Sequence, residues 1–379
     1  MVSSVFKRTD YPTLRDVAYL NQASLGLIGE PAFDAMSGFL DGVGRHGNAY
    51  MSDDDEATFL DGLRTRAARL LQAEPEQVAI LSSASELLGQ IPLIIAPPAG
   101  SRILAVSTDF PAVTRPWLRW AEQGGWLVDF VDDSPGSDLT TDLIKRVDRD
   151  TSVVAVGSVQ YANGTTVDVP RLRAATAAAG AHLVVDATQE AGARSISTRA
   201  WGADVVVCSG YKWLGGHGGV AIGVFDRRLL EEPPALPGWM SAPEPFDFDA
   251  TDFALAPGAR RYTESTISYV SVAGLTAAID QLLGVGFDGI EMAAGGLAVQ
   301  LIDELRRTGW RPVRGLGDPA ACAHIISLAR RGADIGAVMQ RLRDADIVVS
   351  GRGGRLRISI APYNDDEDIS RVARVLGRI

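Results

Sequence analysis

The sequence predicts an α/β protein in two parts, a large domain on a mostly parallel central sheet followed by a smaller α+β domain. Over residues 53–204, β-branched apolar runs alternate with Ala-, Leu- and Arg-rich stretches of helical period, which is the pattern of successive βα units. The strand-like runs are continuously apolar rather than alternating, so helices should cover both faces of the sheet. Six prolines, from Pro233 to Pro257, then break the pattern, and the rest of the chain is organised differently.

Taken in order, the expected strands are 78–81, 102–106, 127–131, 153–156, 182–185, 205–208 and 220–225. Residues 170–180 form a helix opened by Pro170 and closed by Gly180, the usual asymmetry of helix ends. The acid run 53–56 reads as a helix start. Across 231–257, no regular element survives the prolines. Beyond it come helices 268–283 and 290–308, strand 323–328, helix 334–344, strands 347–350 and 355–360, and a capped amphipathic helix over 365–376. This places the large domain at 16–255 and assigns 1–15 and 256–379 to the small one.

Composition narrows the function. The 379 residues are 46% hydrophobic and 22% charged, enough to bury one or two cores. A net charge of −11 disfavours nucleic acid or an anionic membrane surface as partner. Cys208 and Cys322 form no C-x-x-C pair, so neither a disulfide framework nor a thiolate zinc site is indicated, and a reducing, cytoplasmic setting is expected. The four histidines lack ligand spacing, so no metal is expected. The first ten residues carry no apolar core after their charges and do not read as a secretory signal. The longest apolar run, 87–99, is too short for a bilayer and contains three prolines. Of the 36 basic residues only Lys7, Lys145 and Lys212 are lysines, so each invites its own explanation.

The most informative run is Leu183-Val-Val-Asp186-Ala-Thr-Gln189, followed twenty-six residues after the acid by Ser209-Gly-Tyr-Lys212. An acid at the carboxyl end of one buried strand and a lysine just past the next both point into the crevice where open α/β sheets bind ligands. A carboxylate buried there needs a cationic partner or a bonded proton, and an aromatic pyridinium would supply one. A lysine desolvated there loses its proton readily and becomes a nucleophile. Leu81-Ser-Ser-Ala84-Ser85-Glu86 reads as a strand end, a small-residue turn and a helix start, suited to a phosphate dianion.

These motifs, together with Tyr19-Leu-Asn-Gln-Ala-Ser-Leu-Gly26, Arg261-Tyr-Thr-Glu-Ser-Thr266 and Arg355-Leu-Arg357-Ile-Ser-Ile-Ala-Pro-Tyr-Asn364, resemble the class V aminotransferase family over nearly the whole chain. That family comprises pyridoxal 5'-phosphate (PLP) enzymes of fold type I, among them cysteine desulfurases, kynureninases and isopenicillin-epimerase-like proteins. The resemblance implies that Lys212 forms the Schiff base with the cofactor, Asp186 pairs with its ring nitrogen and Gln189 donates to its phenolic oxygen. It assigns the phosphate to the N–H groups of Ala84 and Ser85, assisted by the Ser85 hydroxyl, and to Ser209. It sends Thr266 to the phosphate of a neighbouring subunit, which implies a homodimer with shared sites. Phe110 would stack on the cofactor ring, Gln160 and Asn163 would approach substrate and ring hydroxyl, and Arg357 would fork onto the substrate's α-carboxylate.

Each residue also has a plainer reading: Lys212 as a solvated loop lysine, Phe110 as core, Arg357 as surface charge and Ser85 as an ordinary helix cap. Departures from the family narrow the reaction. The stretch 348–354 lacks the nucleophilic cysteine of desulfurases, and Cys208 reads as a core strand residue. Tyr211 stands where relatives often have histidine, and Ala187-Thr188 where they have glycine and alanine. The expected function is therefore that of a PLP enzyme acting on an α-amino acid through an external aldimine and a quinonoid. β-Elimination across the C–S bond of a cysteine conjugate is favoured. The alternatives are an aminotransferase, an epimerase, a decarboxylating variant or a non-catalytic PLP-binding regulator.

Overall fold

Runs of Val, Ile, Leu and Ala gain most when both faces of their strands are covered, and the chain builds its main sheet from them. The computed structural model describes residues 2–379; Met1, first residue of the stretch 1–15 assigned to the small domain, lies outside them. After a two-residue strand β1 (Ala18–Tyr19) come β2 (Val78–Leu81), β3 (Arg102–Val106), β4 (Leu127–Val131), β5 (Thr151–Gly157), β6 (His182–Asp186), β7 (Val205–Ser209) and β8 (Ala221–Phe225). The last seven form one sheet in the order β2-β8-β7-β6-β5-β3-β4. Only β8 runs against its neighbours; the other pairings are parallel.

Alternate residues enter two cores. Val78, Ile80, Leu104, Val154 and Val185 face one layer, while Ala79, Leu81, Ile103, Val153 and Val184 face the other. Each buried Val, Leu or Ile contributes about 1.5–3 kcal/mol relative to exposure. The seven expected strands are all present, and β6 and β7 run one residue further than expected because the ladder pairs Asp186 with Val207 and Ser209 with Ala221. That extra residue carries each strand to its functional end. After β3 the chain moves outward to β4, and after β5 it moves the opposite way to β6, so a crevice opens at the carboxyl ends of β3 and β5.

Helix ends obey their sequence signals. Asp168 caps the helix Val169–Ala179 and Gly180 closes it at φ 74°. Asp365 caps Asp366–Leu376 with a reciprocal box to Asp368. The proline-rich stretch holds short 3-10 turns, Trp239–Ser241 and Pro245–Asp247.

The smaller domain contains β9 (Arg311–Pro312), β10 (Ile325–Ala329), β11 (Ile347–Val348), β12 (Ser350–Arg352) and β13 (Arg355–Ser359). An antiparallel sheet runs β12-β13-β10-β9, and β11 pairs in parallel with β1. The single strand expected at 347–350 is thus two, because the chain changes pairing partner at buried Val349. Gly353 and Gly354, both at positive φ (54° and 73°), make the two-residue turn into β13. Residues 18–21 lie along the small domain, with Asn21 bridging to Ser359. The helix Tyr269–Val285 buries Val272, Leu275 and Ile279 in the large-domain core, whereas Phe287–Leu305 sends Leu297 and Leu301 into the small-domain core.

Candidate active site

Asp186 ends β6, nearly buried, and its Oδ1 accepts from the Thr188 N–H at 2.9 Å. Burial raises its carboxyl above the usual range; the bonds from Thr188 and the charge of Lys212 offset this only in part. Lys212 sits in the turn after β7, 6% exposed. Burial pushes its amine down to about 8, against the pull of Asp186 and with Arg357 and Arg352 adding to the fall. Its Nζ lies 5.2 Å from the centre of the Phe110 ring and 5.6 Å from that of Tyr211.

The Lys212 main chain is held from both ends of the polypeptide. Gln22 Nε2 donates to its carbonyl at 2.8 Å, and the Tyr363 hydroxyl donates to Gln22 Oε1 at 2.6 Å. Gly26 fits against the same carbonyl because any Cβ there would collide with it.

The expected phosphate cradle shares this edge of the sheet. Leu81 and Ser209 both register with Ala221 from opposite sides of β8, so the strand ends of β2 and β7 are about 10 Å apart. The helix Ala84–Ile95 starts there. Ser83, not Ser85, is its cap, with Oγ accepting from the Glu86 N–H at 3.1 Å. Ala84 and Ser85 therefore occupy the first turn, where N–H groups lack helical partners, and Ser85 is exposed. Ser209 is nearly buried and Thr266 is exposed ahead of the helix Tyr269–Val285.

Arg357, on β13, is 1% exposed. It donates to Ser350 Oγ at 3.0 Å, to the Tyr161 carbonyl at 2.5 Å and to Ser24 Oγ at 2.6 Å. Each of the other buried arginines has a carboxylate: Arg64 has Asp61, Arg261 has Glu231, and Arg314 has Asp133 and Asp318. Arg357 forms no such pair among the described residues, and a guanidinium keeps its charge. The Tyr161 ring meets Phe110 edge-on at 5.4 Å, which joins the arginine's surroundings to the lysine's. Phe110 itself is 38% exposed, so it is not core.

Three expected contacts look different in place. Gln189 already donates to the Ala23 carbonyl at 3.0 Å and accepts from the Trp213 indole at 2.9 Å, leaving one N–H for any cofactor. Gln160 lies under Asp109, donating to it and to the Gly157 carbonyl at 3.2 Å each. The Asn163 amide donates to Asp133 at 2.6 Å and its oxygen accepts from the Thr165 N–H, which ties it to the Asp133–Arg314 pair rather than to Lys212.

Several residues escaped the sequence reading. Asp109, just past β3, accepts from Gly157 N–H at 2.6 Å and Phe110 N–H at 2.7 Å, and burial pushes it up to about 6. An acid three residues past an expected strand was the available signal. Ser24 and Arg352 join Arg357, and His324 Nε2 bonds to the Gln189 carbonyl at 2.7 Å, sites that only tertiary pairing reveals.

Lys212 and Asp186 thus face one crevice without forming an ion pair, beside an aromatic ring, free N–H groups and an arginine lacking a carboxylate. That donor set fits a phosphorylated pyridinium aldehyde bound with an amino acid. The comparisons agree. The family model "Aminotransferase class-V" matches residues 19–372. An uncharacterized aminotransferase, YcbU, of Bacillus subtilis is 26% identical over 278 residues, 73% of this chain and 72% of that protein. A kynureninase of Bacillus cereus is 25% identical over 391 residues, covering 98% and 90%. The solved structure of the cystine C–S lyase C-DES with cysteine persulfide superposes with a TM-score of 0.86 at 19% identity, covering 97% of this chain and 99% of that one. The chain belongs to the class V aminotransferase family and is a PLP-dependent enzyme of fold type I.

Proposed function

We propose that the protein cleaves the C–S bond of a cysteine conjugate by β-elimination, using one water to give a thiol, pyruvate and ammonium. The observation that carries this reading is the burial of both cysteines. Cys208 packs in the core from β7, and burial raises its thiol far above the usual range; Cys322 is likewise pushed up to about 12. The β12–β13 turn beside Arg357 carries glycines and no cysteine. With no thiolate to accept sulfur, the sulfur leaves with its substituent. The likeness in fold to a protein named a C–S lyase supports the same branch.

PLP, when bound, supplies an electron sink for the pair left on the substrate's Cα. Lys212 would hold it covalently and, its amine held near 8, take the Cα proton. Asp186 would accept from the ring N–H and keep it protonated. Ala84 and Ser85 N–H groups and the Ser209 hydroxyl would hold the phosphate, Phe110 would cover the ring, and the remaining N–H of Gln189 would serve the phenolic oxygen. Arg357 would fork onto the α-carboxylate and so aim Cα at Lys212. Exposed Thr266 would serve a partner's phosphate, making a homodimer with shared sites.

The test is to supply S-substituted cysteines to the holoenzyme. Thiol and pyruvate in equal amounts are expected. A keto acid that retains its sulfur, formed as the cofactor turns into its amine form, would replace this reading with transamination.

A further inference from the structure

Arg352 and Arg357 meet at one hydroxyl. The Gly353-Gly354 turn sets β12 against β13, with Arg352 opposite Arg355 and Ser350 opposite Arg357. From these neighbouring strands Arg352 Nη2 reaches Ser24 Oγ at 3.1 Å, while Arg357 Nη2 reaches the same atom at 2.6 Å. Arg352 is half-buried and turned inward, its Nη1 donating to the Gly351 carbonyl at 2.7 Å. Neither guanidinium forms an ion pair with a carboxylate among the described residues, and their charges also act on Lys212.

A shared neutral hydroxyl cannot balance two guanidiniums, and like charges held together, one of them fully buried, favour a bound anion. The α-carboxylate brings one negative charge and one two-oxygen edge, which Arg357 alone can match. A second anionic group is left to account for.

We propose that Arg352 is a substrate-recognition residue that binds a carboxylate on the substrate's side chain. The substrate is then an amino diacid, and an S-(carboxyalkyl)cysteine on the C–S cleavage reading, on which this inference rests for the sulfur alone.

Equilibrium titration of the holoenzyme, followed by its cofactor absorbance, tests this with two acid and amide pairs: S-carboxymethylcysteine against S-carbamoylmethylcysteine, and glutamate against glutamine. The wild type should bind each acid about ten- to a hundredfold more tightly than its amide. In Arg352→Gln, with unchanged absorbance and Tm as the folding control, acid and amide should bind alike. The proposal is overturned if the wild type shows no preference, or if Arg352→Gln weakens acid and amide equally, which would assign Arg352 to the α-carboxylate. Because the titration reads binding, an intact preference without thiol release would refute the C–S reading and leave this inference standing.

Discussion

The two edges of the main sheet treat buried charge in opposite ways. At the amino edge, just before β7, Asp204 is enclosed by Arg173 at 3.0 Å, His182 and Arg228 at 3.2 Å each, and the Leu183 N–H at 2.8 Å. Burial would raise its carboxyl, but these partners hold it below the usual range. At the carboxyl edge Asp186 is also buried, forms no ion pair with a guanidinium among the described residues, and is pushed up. Lys212 is pushed down in the same crevice. Neutralised charge stabilises a fold, whereas charge left uncompensated on both signs marks where a ligand completes the set.

The largest effect expected from this contrast falls on the lysines. Lys212→Arg should abolish turnover and the imine absorbance, because a guanidinium stays protonated and forms no imine. Lys7→Arg and Lys145→Arg, whose exposed ammonium groups pair with Asp10 and Asp142, should leave both unchanged.

A crossed pair of variants comes next. Asp186→Asn should lower kcat/KM on the order of a hundredfold while leaving the Tm of the cofactor-free protein equal or higher. Asp204→Asn should do the reverse, because it strands a cluster of cations and costs about 3–5 kcal/mol. Activity per folded molecule should survive in Asp204→Asn. If both variants lose stability alike, the two edges are not different in kind.

A smaller effect lies in the pH dependence of cofactor loading. Only the neutral amine of Lys212 adds to the aldehyde, so the rate at which cofactor-free protein develops imine absorbance should rise with pH and level off above about 8. Asp186 raises the lysine and Arg357 lowers it, so the midpoint should fall in Asp186→Asn and climb in Arg357→Gln. Midpoints that stay fixed would show that these charges do not reach Nζ.

How much of the molecule was legible in sequence depends on the range of the interactions. Asp186 and Lys212 could be placed because a strand's last residue and the turn after the next strand are local features that topology brings to one crevice. The Gln189 carboxamide could not be traced, because its partners are Ala23, 166 residues away, and Trp213. Arg352 was hidden for a similar reason. Its place beside Arg357 depends on a glycine-glycine turn that was legible as a pair of residues but not as a change of strand partner at Val349.

The smallest expected effect concerns the wall behind the crevice. His324 packs edge-on against Trp213, centroids 4.7 Å apart, and bonds through Nε2 to the Gln189 carbonyl. A carbonyl accepts only, so Nε2 carries a proton. Burial pushes the imidazole down to about 3 from an ordinary value near 6.5. Below 6.5 the unfolded chain therefore takes up a proton that the folded one refuses until about 3, and this group's stability contribution, complete above 6.5, is lost as pH falls through that interval. The Tm of the wild type should accordingly drop more steeply between about pH 6.5 and 4 than that of His324→Gln, with the two curves parallel above about pH 7. Parallel Tm curves throughout would mean that the ring gains its proton without opening the wall.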